Sequence, residues 1–257
     1  MVTKDRFFEF QDQVRSQQLM QSCSHDDSLL LASAMDNTDP LLCTNEEWTA
    51  VEEFLSRIER LQRDMHLLET YIEDVKMKHS QLLISPDSDQ KRKDELDQVM
   101  EAFKQLSQAT RLEIKRLEME TESLIRERTT PGRQDPNAMD LRIRKTQLMG
   151  VSKRLHCVLQ LYNEEQVRYK ERCKERIQGY IDLTGTTMDQ EDIDEAIESG
   201  KLYDFAGGLL VQQRNRAQIL MDVEARRDDI IKLEASIKEL HDMFLDMAMI
   251  VESQVLY

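Results

Sequence analysis

Proline and glycine are scarce here, four and seven in a chain of 257 residues. An all-β sandwich or barrel needs turn punctuation roughly every 8–12 residues, so that class is excluded, as are collagen-like and low-complexity chains. Cysteine is also rare: residues 23, 43, 157 and 173 form no C-x-x-C pair and no regular spacing. A disulfide scaffold is therefore excluded, and the cysteines are expected as reduced thiols. Basic residues are in deficit, 35 against 50 acidic, for a net charge of −15. Phosphate neutralisation needs clustered Lys and Arg, so a general nucleic-acid binder is excluded and anionic lipid is a poor partner. No apolar run reaches the ~18–20 residues of a membrane span, and the start, MVTKDRFFEFQDQ, lacks the unbroken apolar core of a signal peptide. The chain is expected to be soluble and cytosolic.

Catalytic chemistry is missing as well. The five histidines, at 25, 66, 79, 156 and 241, are scattered, and none follows a Glu at three residues' distance. The Glu-x-x-His of di-iron bundles, H-E-x-x-H and the phosphate-binding glycine loops are all absent. His156 and Cys157 are adjacent, hence about 100° apart on a helix and badly placed to share a metal. No catalytic residue, metal site or cofactor is expected.

What the chain does have is helical periodicity. Residues 11–43, rich in Gln, Ser, Asp and Asn, suit a disordered tether. Thr44 and Glu47 have the spacing of a capping box at the start of a helix. Its apolar residues, Val51, Phe54, Ile58, Leu61, Met65, Leu68, Ile72 and Val75, step by threes and fours along one stripe. A breaker around Pro86 precedes a second helix of about 89–126, with Leu96, Val99, Phe103, Leu106, Thr110, Leu117 and Leu124 on one face. The run 128–137, with two prolines and a glycine, precedes a third of about 138–183, whose inward face carries Leu148, Val151, Leu155, Val158, Tyr162 and Tyr169. Short loops between long amphipathic helices imply an antiparallel up-down-up bundle. Residues 184–208 form a linker with a short helical piece at Ile193, Ala196 and Ile197, and a fourth helical pattern runs over 209–257.

That last pattern is the sharpest. Ile230, Leu233, Ile237, Leu240, Phe244, Met247, Val251 and Gln254 step by 3, 4, 3, 4, 3, 4, 3, a coiled-coil seam that ends on a glutamine. A polar residue on a seam sacrifices stability for register and needs a matching polar group from its partners. Residues 228–254 hold seven Asp or Glu against two Lys. The seam can close an intramolecular bundle, dock on foreign helices, or do each at different times.

The stretch IIKLEASIKELHDMFLDMAMIVESQ at 230–254 closely resembles the first half of a syntaxin SNARE motif. DLRIRKTQ at 140–147 and YKERCKERIQ at 169–178 resemble the third helix of the syntaxin Habc domain, and IEDVKMKHSQLLISPD at 72–87 the end of its first helix and loop. The blocks are collinear from about residue 44 to 254 and most similar to the plasma-membrane, neuronal type. The resemblance implies an all-α fold: a three-helix Habc bundle at 44–183, the linker 184–208, and a SNARE helix (motif about 228–254) packed in the Habc groove. It implies a target-membrane Q-SNARE of exocytosis. The seam residues would become layers of a bundle with a synaptobrevin-like vesicle R-SNARE and SNAP-type helices, and Gln254 would be the central polar layer. Ile197 and Glu198 match the linker pair that helps hold the closed state, although Ile197 also suits the buried face of any small helix. At 1–10, Asp5 and Arg6 match the N-peptide through which syntaxins engage Sec/Munc-type (SM) regulators, with Phe7 and Phe10 in place of the usual Thr and Leu. An ordinary tail with an aromatic cluster is the alternative there.

After Gln254 the family continues with further heptads, a basic stretch and a membrane anchor, which Val255-Leu256-Tyr257 does not resemble. The expectation is a chain cut within the SNARE motif, not itself fusion-competent and lacking the anchor that holds full-length relatives on the cytoplasmic face of the plasma membrane. A static spectrin-like scaffold is the reading of a different class. It needs neither Gln254 nor a docking-type N-terminus.

Overall fold

The structure, a computed structural model, describes residues 45–84, 90–128, 138–182, 190–199 and 213–255. Every described element is an α-helix: α1 (Asn45–Ile84), α2 (Gln90–Arg128), α3 (Ala138–Asp182), α4 (Gln190–Ser199) and α5 (Gln213–Val255). The described residues fall into two compact units, one from 45–70, 103–128, 138–161 and 243–255, the other from 71–84, 90–102, 162–182, 190–199 and 213–242.

In the first unit the α1 stripe from Val51 to Leu68 is buried throughout, with Met65 and Leu68 fully enclosed. Phe103, Ile114 and Leu117 of α2, and Leu148, Val151, Leu155 and Val158 of α3, complete the core. Polar residues share the inner stripe of α2: Ser107, Thr110 and Thr121 are buried. Each donates its hydroxyl to a carbonyl of its own helix, at Lys104, Leu106 and Leu117, over 2.8–2.9 Å. These bonds remove the cost of burying an unpaired hydroxyl and keep the stripe compatible with packing. By contrast Leu106 and Leu124 are only half-buried.

Charged side chains tie the helices together and show their directions. Arg57 of α1 reaches Glu113 and Glu120 of α2 at 2.7 Å each. Arg144 of α3 donates to the carbonyl of Ala50 at 3.0 Å and lies over the Phe54 ring, and Arg154 pairs with Glu69 at 3.1 Å. Rising numbers on α1 thus meet rising numbers on α3, the up-and-up relation that a helix between them requires. Cys157 is disulfide-bonded, which departs from the reduced thiol expected of it. Bridging depends on Cα atoms a few ångströms apart in space, which sequence spacing does not reveal.

In the second unit α4 and α5 join the ends of α1 and α3. One apolar cluster gathers Tyr169, Cys173, Ile177 and Ile181 of α3, Ile193, Ala196 and Ile197 of α4, and Val223, Ile230 and Leu233 of α5. Rising numbers on α5 meet falling numbers on α3: Asp222 contacts Arg176, Asp229 contacts Tyr169, and α5 runs antiparallel to α3.

Candidate functional site

The seam of α5 begins in the second unit. Ile230, Leu233 and Leu240 are 1%, 2% and 2% exposed, and Ile237 is half-buried. In the first unit Met247 is fully buried and Phe244 half-buried, its ring edge-on to His156 at 5.3 Å. Met243 is buried as well and has its Sδ 3.9 Å from the Ser107 hydroxyl. The covered face of α5 thus takes in Met243 beside the seven-residue stripe. Val251 lies within α5, and so does Gln254, but their side chains lie outside the described residues.

The linker's Ile197 is 4% exposed and sits in the cluster with Cys173, Ile230 and Leu233. Its carbonyl accepts from Arg227 Nε at 2.8 Å. Through side chain and backbone together, α4 touches what covers the seam and the helix that carries it. The side chain of Glu198, and Asp5, Arg6, Phe7 and Phe10 entirely, lie outside the described residues.

A polar group precedes the apolar seam. Arg226, four residues before Ile230, is 1% exposed. Its Nη1 donates to the Tyr169 hydroxyl oxygen at 2.9 Å and lies 2.9 Å from Asp229 Oδ2, with Nε 3.6 Å from Asp222 Oδ1. Tyr169 in turn donates to Asp229 at 3.0 Å. Asp222 accepts from Arg176 Nε at 2.6 Å and from the Tyr180 hydroxyl at 2.7 Å. Arg176 also donates to the Leu83 carbonyl of α1. Burial by itself opposes the charge on Arg226, and the surrounding Tyr169, Asp229, Cys173 and Asp222 more than offset it. On its other face Tyr169 stacks on His79 at 3.8 Å, and His79 Nδ1 meets Glu165 at 3.0 Å. Burial raises the Tyr169 phenol above its ordinary range and pushes the Cys173 thiol up to about 12.

Sequence reasoning began the seam at Ile230 and so missed this group. Continuing the same steps backwards, by four, three and four, lands on Arg226, Val223 and Ile219; a charge on the extended stripe was the available signal. Among the described residues no group of three His, Cys, Asp or Glu side chains is placed to hold a metal. No described helix is long and apolar enough to cross a membrane. What the arrangement offers is a long apolar ridge, already covered, on the last helix.

Comparison with known proteins places that arrangement. The family model described as Syntaxin matches residues 49–207. Among solved structures, a chain of the Unc18–syntaxin 1 complex from Monosiga brevicollis is similar, with a TM-score of 0.62 and 23% identity. The match covers 90% of this chain and 92% of that one.

Proposed function

This chain belongs to the syntaxin family, whose members are SNARE proteins rather than enzymes, and from that premise we propose a Q-SNARE that alternates between two uses of one seam. In one, α5 lies along the chain's own helices. In the other it is released to a synaptobrevin-like R-SNARE and SNAP-type helices, with Gln254 in the central polar layer, for vesicle docking and exocytotic fusion at the cytoplasmic face of the plasma membrane. One ridge cannot face both sets of helices at once, so the two uses compete as a population switch.

The observation that carries the reading is the covered seam: Ile230, Leu233, Leu240 and Met247 are at most 2% exposed against the chain's own helices. The heptad would serve foreign helices equally well. A static scaffold would also cover its fourth helix, but it has no use for a seam that ends on glutamine. An SM protein that prefers the closed form would shift the population by its differential affinity. The similar structure, a syntaxin in complex with Unc18, supports that class of regulator.

The test mixes the full chain with R-SNARE and SNAP-type helices. Replacing Ile197 by Ala, together with Glu198→Ala, removes a buried side chain from the cluster under α5. Ile→Ala losses of about 2–5 kcal/mol correspond to at least a tenfold rise in the released fraction. Faster and more complete assembly is expected, measured by native gel or fluorescence transfer. No assembly from either form would leave only the static bundle. A second expectation concerns the N-terminus: Asp5→Ala with Arg6→Ala weakens calorimetric affinity for the cognate SM protein. Unchanged affinity would remove the N-peptide assignment.

A further inference from the structure

The apolar part of the seam does not by itself specify where α5 sits. Its steps repeat every seven residues, so sliding α5 by one heptad replaces Ile230, Leu233, Ile237 and Leu240 with Ile237, Leu240, Phe244 and Met247. Both sets are apolar and similar in volume, and burial energy alone separates them weakly. A helix that leaves and returns, as in the reading above, meets this choice at every return.

The group around Arg226 is not tolerant in that way. A one-heptad slide moves the guanidinium about 10 Å along the axis, far outside hydrogen-bond reach of Tyr169. That slide puts Leu233 and Ser236 where Arg226 and Asp229 faced Tyr169, and both contacts of its hydroxyl are lost together. Asp229 takes the place of Asp222 opposite Arg176 and Tyr180, so the discrimination rests on Tyr169 and on Arg226, which moves to the place of the apolar Ile219.

The group also opposes release less than its burial suggests. Asp222, Arg226 and Asp229 all belong to α5, at i,i+4 and i,i+3 spacing. When α5 departs, the guanidinium carries its counter-ions with it, while Arg176 of α3 gives up Asp222 and keeps the Leu83 carbonyl. With the buried guanidinium still paired on its own helix, the group discriminates among alignments more than it resists opening.

We propose that Asp222, Arg226 and Asp229 form a register lock: a positioning group that admits α5 onto α3 in one alignment, the one in which Ile230 and Leu233 join Tyr169, Cys173, Ile177 and Ile197. The claim deepens the reading above, since it concerns how the folded-back state is reached. Its test uses the chain alone, so a failure to capture SNARE helices leaves the result intact.

Two ion pairs report the alignment directly. Lys232 lies 2.9 Å from Asp97, and Lys170 lies 2.7 Å from Glu234. Carbodiimide joins such contacting pairs as amides, which peptide mapping locates. In the full chain both couplings should dominate, and Arg226→Lys should keep them. The variant Asp222→Asn, Arg226→Met, Asp229→Asn removes the charges of the lock from α5 and leaves Arg176 its bond to the Leu83 carbonyl. Its two native couplings should fall at least about threefold in share, with shifted products such as Lys238 to Asp97 appearing. Cys173 alkylation should stay within about threefold of the parent, because α5 remains docked. Unchanged couplings in this variant overturn the proposal. So does a freely alkylated Cys173 with no shifted products, which would make the group a simple fastening.

Discussion

With aspartate in place of Leu233, iodoacetamide is expected to reach Cys173 at close to the rate of an unfolded thiol, while most of the helical circular-dichroism signal persists. Leu233 is 2% exposed and shares a cluster with Cys173, which is fully buried. The substitution loses the leucine's burial, about 2–5 kcal/mol, and adds a carboxylate without a partner, which costs several more. A sum near 4 kcal/mol or above shifts the docking equilibrium of α5 by about a thousandfold. The thiol then loses its cover, and mapping the alkylated peptide distinguishes it from the other cysteines. Capture by SNARE helices should fall too, since the aspartate enters the partner seam as well. This is the opposite sign to the Ile197 and Glu198 variant, which frees the same helix with its ridge intact. Continued protection of Cys173 would show that α5 is not held through Leu233.

Alkali should take the second unit apart, in a cooperative step. Burial raises the Cys173 thiol from 9.0 to about 12 and lifts the Tyr169 phenol, also by burial and then by the neighbouring Cys173 and Asp229, above its usual 10.0. Burial likewise raises Tyr162, whose hydroxyl is hydrogen-bonded to Ser236. All three groups are acids held neutral in the fold. Their contribution is complete below the unfolded values and is lost as pH climbs from about 9 towards the folded ones. At ~1.4 kcal/mol per pH unit of separation, the thiol alone contributes several kcal/mol, comparable to the stability of a small domain. Tyrosinate absorbance should therefore rise steeply, together with loss of helical signal, instead of following a gradual curve centred on ordinary phenol titration. Cys173→Ala should move the step to higher pH. A gradual tyrosinate curve with helicity intact would contradict the burial argument.

Much of this molecule is legible in its sequence because amphipathic periodicity is local. The α1 stripe from Val51 to Val75 can be written down from steps of three and four, and all eight residues are buried. The breakers at Pro86 and at 128–137 mark where the long helices stop, because proline and glycine act through backbone geometry alone. Other features resisted reading for a physical reason. Ser107 and Thr121 look like surface residues until their hydroxyls find carbonyls of their own helix. Arg226 looks like one more solvated charge until Tyr169, 57 residues away, accepts its hydrogen bond. Cys157 carries no spacing that announces a disulfide.

The sequence by itself determined that the chain is helical, where its long helices break, and that its last helix bears an apolar ridge of seven-residue repeat. What lies against that ridge was decided only by the tertiary structure. Periodicity states which face must leave water, and any apolar surface satisfies it. The cover from α3 and α4 brings together side chains far apart in sequence, such as Arg226 and Tyr169, whose charges and hydroxyls satisfy one another only once the helices pack.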